Sequence, residues 1–260
     1  MVPVMSDYCE NPWSGVAIIT GASTGIGAAT ARKLANGATG LVIGARNIEK
    51  LESVASECGD HVVPLQCDVQ QQADVQQLAN TAIERFGRID AIINNAGILP
   101  MASMTRCRVE DWVHTVDTNI KGVLFGIAAV LPQMLEQKTG HIVNIGSGAG
   151  RQSYAGAAVY CGTKHAVRAI GEGLQLDLSM RSAKDGNSIR VTTIAPGVVR
   201  TELAQSVTYE PAKVQLQHML DHQEGALTPE DIAHCILIAL TTPDHVEIGE
   251  MTVRPTKQLF

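Results

Sequence analysis

Residues 16–27 read Val-Ala-Ile-Ile-Thr-Gly-Ala-Ser-Thr-Gly-Ile-Gly, a short apolar run followed at once by a turn rich in glycine. A continuous apolar run of this kind predicts a buried strand of a parallel sheet. Residues 28–35 then have the composition of a helix. Glycines between a strand and a helix let the backbone approach a pyrophosphate, whose charge is met by the amides and dipole of the helix N-terminus. The stretch therefore predicts the opening strand, turn and helix of a dinucleotide-binding fold.

The alternation of apolar strands and helices continues along the chain. Further strands are expected at residues 41–44, 61–66, 89–93, 140–145, 189–195 and 247–254, and further helices at residues 48–57, 73–86, 112–137 and 157–180. Thr228 and Pro229 mark the start of a last helix, as cap and first helical residue. This order predicts an α/β protein, a doubly wound Rossmann fold with a mainly parallel seven-stranded sheet. With 260 residues, 45% of them hydrophobic, and no linker, we expect a tail at residues 1–13 and a single domain at residues 14–260.

A second informative stretch carries Ser147, Tyr160 and Lys164. Ser147 follows a predicted strand in a glycine-rich loop, and the other two residues stand four apart in a predicted helix. Residues four apart share a helix face, so the ammonium of Lys164 would lie within electrostatic reach of the phenol. A positive neighbour would lower the pKa of Tyr160 from about 10 toward working pH. The pair is a candidate proton donor, although Tyr-x-x-x-Lys also occurs by chance in many helices.

Several motifs together resemble the short-chain dehydrogenase/reductase family of the classical type. They are Thr-Gly-x-x-x-Gly-x-Gly at residues 20–27, Asn-Asn-Ala-Gly at residues 94–97, Asn119 in a long helix, and Ser147 thirteen residues before Tyr160 and its Lys164. The resemblance covers about residues 13–254. It implies a reversible NADP(H)-dependent reduction of a ketone or aldehyde to an alcohol. The ending at residues 247–254 lacks the common Asp-Gly-Gly and looks more like the serine/3-hydroxy-acid dehydrogenase or broad-specificity carbonyl reductase subgroup.

The resemblance also implies a role for each site residue. Ser147 would hydrogen-bond the carbonyl oxygen, Tyr160 would protonate the forming alkoxide, Lys164 would lower the tyrosine pKa and bind ribose, and Asn119 would hold a helix distortion and a water in the proton path. The implied cofactor-binding set is Gly21, Ser23, Thr24, Gly25, Ile26, Gly27, Arg46, Asp68, Val69, Asn95, Ala96, Gly97, Tyr160, Lys164, Pro196, Gly197, Val199 and Thr201.

The end of the second predicted strand indicates which dinucleotide binds. An acidic residue there would bind the 2′-hydroxyl of NAD, whereas a nearby arginine accommodates the 2′-phosphate of NADP. This chain has Ala45 and Arg46, which favours NADP(H). One feature departs from many NADP-preferring relatives, because Thr24 stands where they have a second basic residue.

Charge and composition narrow the choice of partners. The formal net charge is −6, whereas proteins that bind nucleic acid or an anionic membrane usually carry an excess of positive charge. Such partners are therefore not expected. No signal peptide or membrane span is indicated, so a cytoplasmic protein is expected. The six scattered cysteines are expected to be free thiols, and Cys161 to be a packing residue. His218 and His222 have helical spacing but no third ligand in a recognisable pattern, so no metal is expected.

The expected partner is a small carbonyl or alcohol substrate. Residues 202–225 correspond to the mobile lid over the substrate in relatives, and a homo-oligomer, a tetramer or dimer, is expected from the long helices at residues 112–137 and 157–180. The sequence argues against two other functions. A non-catalytic NADP(H)-sensing regulator is typically marked by loss of the tyrosine or lysine, and both are present. Nucleotide-sugar epimerisation usually needs a larger C-terminal substrate domain than this chain has room for.

Overall fold

A computed structural model of the protein describes residues 13–222 and 224–257. The chain in this part forms strands that are short and rich in Val and Ile. Their bounds are β1 (Val16–Thr20), β2 (Gly40–Ala45), β3 (Val62–Gln66), β4 (Ala91–Asn94), β5 (Thr139–Ile145), β6 (Ser188–Pro196) and β7 (Glu250–Val253).

Helices connect the strands and cover both faces of the sheet. Their bounds are α1 (Gly25–Ala35), α2 (Ile48–Cys58), α3 (Gln72–Phe86), α4 (Val109–Val116), α5 (Gly122–Gln137), α6 (Ala158–Asp185), α7 (Glu210–His222) and α8 (Pro229–Thr241). The predicted start of α8 is confirmed: Thr228 and Asp231 form a capping box, with Pro229 in the first turn.

Within the described residues the sheet has seven strands in the order β3-β2-β1-β4-β5-β6-β7, and all the pairs are parallel. The predicted α/β class and parallel sheet are therefore confirmed. Alternate residues face opposite layers, so Ile18 and Ile92 pack on one side while Ile19 and Ile93 pack on the other. The strand order reverses between β1 and β4, and such a switch point opens a crevice at the carboxyl ends of the strands.

The helix predicted at residues 112–137 begins earlier and is interrupted. A π-helical turn at Asp117–Lys121 separates α4 from α5, and the amide of Gly122 donates to the carbonyl of Asp117, five residues back. By length and composition residues Val109–Gln137 could cross a membrane. In the fold, however, Val130 and Met134 of this segment are fully buried against the sheet and α3, as in the core helix of a globular domain.

Other boundaries differ modestly from the expected ones. β7 is shorter than residues 247–254, and α6 extends five residues beyond Met180, to Asp185, where Gly186 adopts a left-handed φ of 70° and ends it. The residues expected to form the lid contain a short 3₁₀ helix, Glu202–Ser206, and α7. Residues 1–12, including Cys9 and nearly all of the expected tail, lie outside the described residues, as does the side chain of His222.

Candidate active site

The glycine turn after β1 is packed too closely to accept side chains. Gly21 has φ +65°, and a Cβ placed on it would lie 2.8 Å from the Cα of Ala96. A Cβ on Gly27 would lie 2.4 Å from the carbonyl oxygen of Gly21. The carboxamide of Asn95 donates to the carbonyls of Thr20 and Gly21 at 2.8 and 3.0 Å. The turn is therefore a bare backbone cradle at the N-terminus of α1, which suits a pyrophosphate.

A cavity of about 480 Å³ runs along the carboxyl ends of the strands from this cradle. It brings together most of the residues singled out in the sequence: Gly21, Ser23, Thr24, Gly25, Ile26, Arg46, Asp68, Val69, Asn95, Ala96, Gly97, Ser147, Tyr160, Lys164, Pro196, Gly197, Val199 and Thr201. Gly27 and Asn119 do not line the cavity. Both are buried and pack against residues that do, Gly27 against Gly21 and Asn119 against Ile98.

One end of the cavity is formed by the residues that follow β2 and β3. Ala45 is buried at the end of β2, and Arg46 is exposed next to it. Within the described residues no hydrogen bond or ion pair engages the guanidinium of Arg46. The backbone at Asp68 is fixed, since its amide donates to Asp74 and its carboxylate accepts from the amide of Gln70. In the described residues, this end therefore presents the unpaired guanidinium of Arg46 beside the hydrogen-bonded turn at Asp68.

The opposite end holds Ser147, Tyr160 and Lys164. The Ser147 hydroxyl neighbours the phenol of Tyr160, and its Oγ accepts the amide of Ala149 at 3.1 Å. Tyr160 and Lys164 are only 8% and 6% exposed, with the Nζ of Lys164 5.7 Å from the centre of the tyrosine ring. The ammonium donates to the carbonyl of Ile145 at 2.8 Å. A hydroxyl, a phenol and an ammonium thus meet at one point of the cavity.

Burial dominates the electrostatics of this cluster. Burial raises the pKa of Tyr160 to about 12, and the neighbouring Ser147 hydroxyl offsets this only in part. Burial also lowers the pKa of Lys164 to about 8. The expectation that the pKa of Tyr160 is lowered toward working pH is therefore wrong in this structure, because burial raises this pKa instead. Tyr160 is protonated at neutral pH.

Asn119 lies in the π-helical turn and is 1% exposed. Its carboxamide accepts from the amide of Ile98 at 2.9 Å and donates to the Ile98 carbonyl and to the hydroxyl of Thr163. A Cβ on Gly97 would lie 3.4 Å from the Asn119 carboxamide oxygen and 3.7 Å from the Lys164 Nζ. The helix distortion is thus present, and the asparagine fastens the loop after β4 next to the lysine.

The lid segment is fastened to the loops around it. The amide of Leu99 donates to the Ser206 hydroxyl at 2.8 Å, and Thr208 donates to the carboxylate of Asp111 at 3.0 Å. Leu203, Gln205 and Ser206 line the cavity near its reactive end. The first residues of this segment therefore form part of the cavity wall.

Six lining residues were not singled out from the sequence: Asn47, Cys67, Ile98, Thr118, Ile145 and Gly146. Most of them directly neighbour a motif residue, so proximity in the chain is the signal that could have found them. Thr118 has a buried hydroxyl with no hydrogen-bond partner within the described part of the chain. A polar atom of this kind in a cavity wall is available to a ligand or a water.

The remaining candidate sites in the described residues are weaker. Cys58, Cys67, Cys107, Cys161 and Cys235 are free. Cys161 is fully buried and packs beside Tyr160, with Leu99 and Met101 against the same cluster. No group of three or more His, Cys, Asp or Glu side chains among residues 13–222 and 224–257 could hold a metal ion.

Comparisons with known proteins agree with this geometry. The family model described as short chain dehydrogenase matches residues 15–212. An uncharacterized oxidoreductase of Staphylococcus saprophyticus is 41% identical over 244 residues, which are 94% of this chain and 96% of that protein. An uncharacterized oxidoreductase of Listeria monocytogenes is also 41% identical, over 94% of this chain and 97% of that protein.

Solved structures are similar over the same extent. The closed form of a serine dehydrogenase complexed with NADP+ has a TM-score of 0.86 and 33% identity, covering 94% of this chain and 96% of that one. A short chain dehydrogenase/reductase from Burkholderia phymatum in complex with NAD has a TM-score of 0.82 and 29% identity, covering 95% of this chain and 90% of that one.

Proposed function

The chain belongs to the short chain dehydrogenase family of oxidoreductases, and we propose that it reduces a ketone or aldehyde to an alcohol with NADPH. The observation that carries the proposal is the cluster of Ser147, Tyr160 and Lys164 in the same cavity as the glycine cradle. A nicotinamide dinucleotide supplies the hydride when bound. The cradle, the helix N-terminus of α1 and the exposed Arg46 fit its phosphates.

The residues of the cluster perform the acid–base part of the reaction. The Ser147 hydroxyl donates to the carbonyl oxygen of the substrate, and the Tyr160 phenol transfers its proton to that oxygen as negative charge develops there. Lys164 holds a positive charge below the phenol and stabilises the phenolate that results. Asn119 fixes the loop at Ile98 beside Lys164, which keeps open a path for the proton that restores the phenol.

The ionisation of the cluster suits the role of Tyr160 as the acid in the reduction. A tyrosine with a pKa of about 12 is protonated at neutral pH and ready to donate. Oxidation of an alcohol needs the phenolate at the outset, which the burial of Tyr160 disfavours. Loss of the Tyr160 proton is assisted only while Lys164 is charged, below its pKa of about 8.

NADP(H) is proposed over NAD(H) because Arg46 is exposed and unengaged in the described structure next to Ala45. A free guanidinium is suited to the 2′-phosphate, and no carboxylate stands at the end of β2 to hold a 2′-hydroxyl. The NADP+ complex of serine dehydrogenase, a similar structure, supports this choice. Another similar structure is a complex with NAD, and the assay below compares NADPH with NADH directly.

A homo-oligomer located in the cytoplasm is proposed as the working form. Val109, Val113, Val116 and Leu124 on the segment of α4 and α5, and Leu176 and Met180 on α6, are large apolar side chains at least one third exposed. Apolar residues gathered on long helices typically mark an interface. Burying them against a second copy would remove this surface from water.

The proposed function is tested by following the oxidation of NADPH in the presence of carbonyl substrates. The purified protein is assayed at 340 nm with ketones, aldehydes, 3-oxo acids and their esters, and in reverse with serine, 3-hydroxy acids and hydroxysteroids. We expect carbonyl-dependent oxidation of NADPH, faster than with NADH at equal concentration. If NADPH binds tightly and no member of the panel is turned over, the proposed reduction is contradicted and a non-catalytic NADP(H)-sensing role is favoured.

A further inference from the structure

A salt bridge joins α2, which begins just after the cavity residues Arg46 and Asn47, to Glu202 in the cavity wall. The Nζ of Lys50 lies 3.1 Å from Oε2 of Glu202, although 152 residues separate them in the chain. Lys50 is in the first turn of α2, just after Arg46 and Asn47, which line the adenosine end. Glu202 lines the opposite wall, directly after Thr201. The pair therefore connects the segment behind one wall of the cavity, at Arg46 and Asn47, to the other wall at Glu202.

The backbone under each partner is held in place. The amide of Lys50 donates to the Asn47 side chain at 2.8 Å, which caps α2. The Thr201 hydroxyl accepts the amide of Leu203 at 3.3 Å and caps the 3₁₀ helix that begins at Glu202. A Cβ on Gly25 would lie 3.4 Å from Thr201, so the glycine turn comes close to the start of the lid segment. The ion pair adds a direct connection between two segments whose backbones are held in place.

We propose that Lys50 and Glu202 form a strap over the bound dinucleotide and slow its release. This rests on the proposed function, in which the dinucleotide extends from Arg46 to Tyr160 and so lies between the two walls. The pair must then open before the dinucleotide leaves. Lys50 also neutralises the Glu202 carboxylate, which would otherwise repel the phosphates.

The expected effect is modest, because the two side chains are 52% and 44% exposed. Exposed ion pairs are worth at most about 1 kcal/mol. Breaking the strap should therefore accelerate release about two- to five-fold, which is about 0.4–1 kcal/mol at 1.4 kcal/mol per factor of ten. Salt should accelerate release from the wild type more than from variants without the pair.

The test measures NADPH release by stopped-flow fluorescence, with excess NADP+ as the displacing ligand. Glu202→Gln removes the strap alone, Lys50→Gln removes it and exposes the carboxylate, and the double variant removes both charges. The matched control is a pair outside the cavity: Arg32 and Glu57, 2.6 Å apart and similarly exposed at 44% and 49%. Arg32→Gln and Glu57→Gln repeat the same charge changes.

If the strap exists, NADPH release is faster from Glu202→Gln and is accelerated at least as much in Lys50→Gln. The double variant releases NADPH at the rate of Glu202→Gln, and the release rates of both controls are unchanged. Slower or unchanged release in Glu202→Gln would overturn it, since Lys50 would then bind phosphate alone or the pair would be a surface contact. Equilibrium binding of NADPH to the wild type is measured first. Lack of binding would overturn the proposed function and the strap together, whereas normal binding with unchanged release removes the strap only.

Discussion

Replacing Lys164 by Met measures how much the buried ammonium reduces the stability of the fold, separately from its role in catalysis. Burial lowers its pKa from 10.5 to about 8, a difference equivalent to about 3 kcal/mol of folding free energy at neutral pH. Methionine removes the charge and keeps most of the length. The change also leaves the Ile145 carbonyl without its donor, which costs about 1–3 kcal/mol. We therefore expect the variant to be between equally stable and about 2 kcal/mol more stable than the wild type at pH 7, and inactive.

The dependence on pH gives the sharper result. Between pH 8 and 10.5 the unfolded chain keeps a proton that the folded lysine has lost, so the wild type gains stability as pH rises through this window. From pH 7 to 9.5 it should gain about 2 kcal/mol relative to Lys164→Met. Urea unfolding of both proteins without nucleotide measures this difference. Lys184→Met, a change at an exposed residue near the end of the same helix, is the control and should show no such shift.

The reasoning would be refuted by a variant more than about 2 kcal/mol less stable than the wild type at pH 7, with a difference that does not change with pH. That result would mean that the ammonium is well solvated or well paired in the folded protein. Lys164 would then be a structural residue.

Two further predictions concern the cofactor and the assembly. Arg46→Ala should raise the KM for NADPH about 10- to 150-fold, because it removes a charge-assisted hydrogen bond of about 1.5–3 kcal/mol, and should leave the KM for NADH nearly unchanged. Adding Ala45→Asp should turn the preference toward NADH. Equal losses for both cofactors in steady-state kinetics would speak against a phosphate contact. Light scattering at micromolar protein should give the mass of an oligomer, and Leu176→Glu with Met180→Glu should reduce it, because each places a charge on an exposed apolar residue of α6. A wild-type monomer would be incompatible with the proposed interface.

Local patterns were sufficient to predict the order of the strands and most of the residues that line the cavity. The apolar run at residues 16–20 predicts a buried strand, and the turn after it needs glycine because a Cβ on Gly21 or Gly27 would meet other atoms too closely. Tyr160 and Lys164 had to share a face of α6 once that helix formed. Motif residues at the ends of parallel strands then meet at one edge of the sheet.

The features that the sequence did not predict depend on how the elements pack in three dimensions. The sign of the Tyr160 pKa shift follows from how much water the fold removes, which spacing alone does not reveal. The salt bridge of Lys50 with Glu202 links residues far apart in the chain, and the fastening of Ser206 to Leu99 does likewise. Both depend on how the lid packs, and its residues have too weak a pattern to predict that.

The most direct test of the central claim is the turnover of Tyr160→Phe, measured beside its NADPH affinity. The substitution removes one hydroxyl from a side chain that is 8% exposed and retains the ring that packs with Ala157 and Cys161. The account predicts that kcat for carbonyl reduction falls at least a hundred-fold, the scale of general acid catalysis, while the Kd for NADPH changes less than three-fold. A variant that keeps a tenth or more of the wild-type kcat would contradict the assignment of Tyr160 as the proton donor.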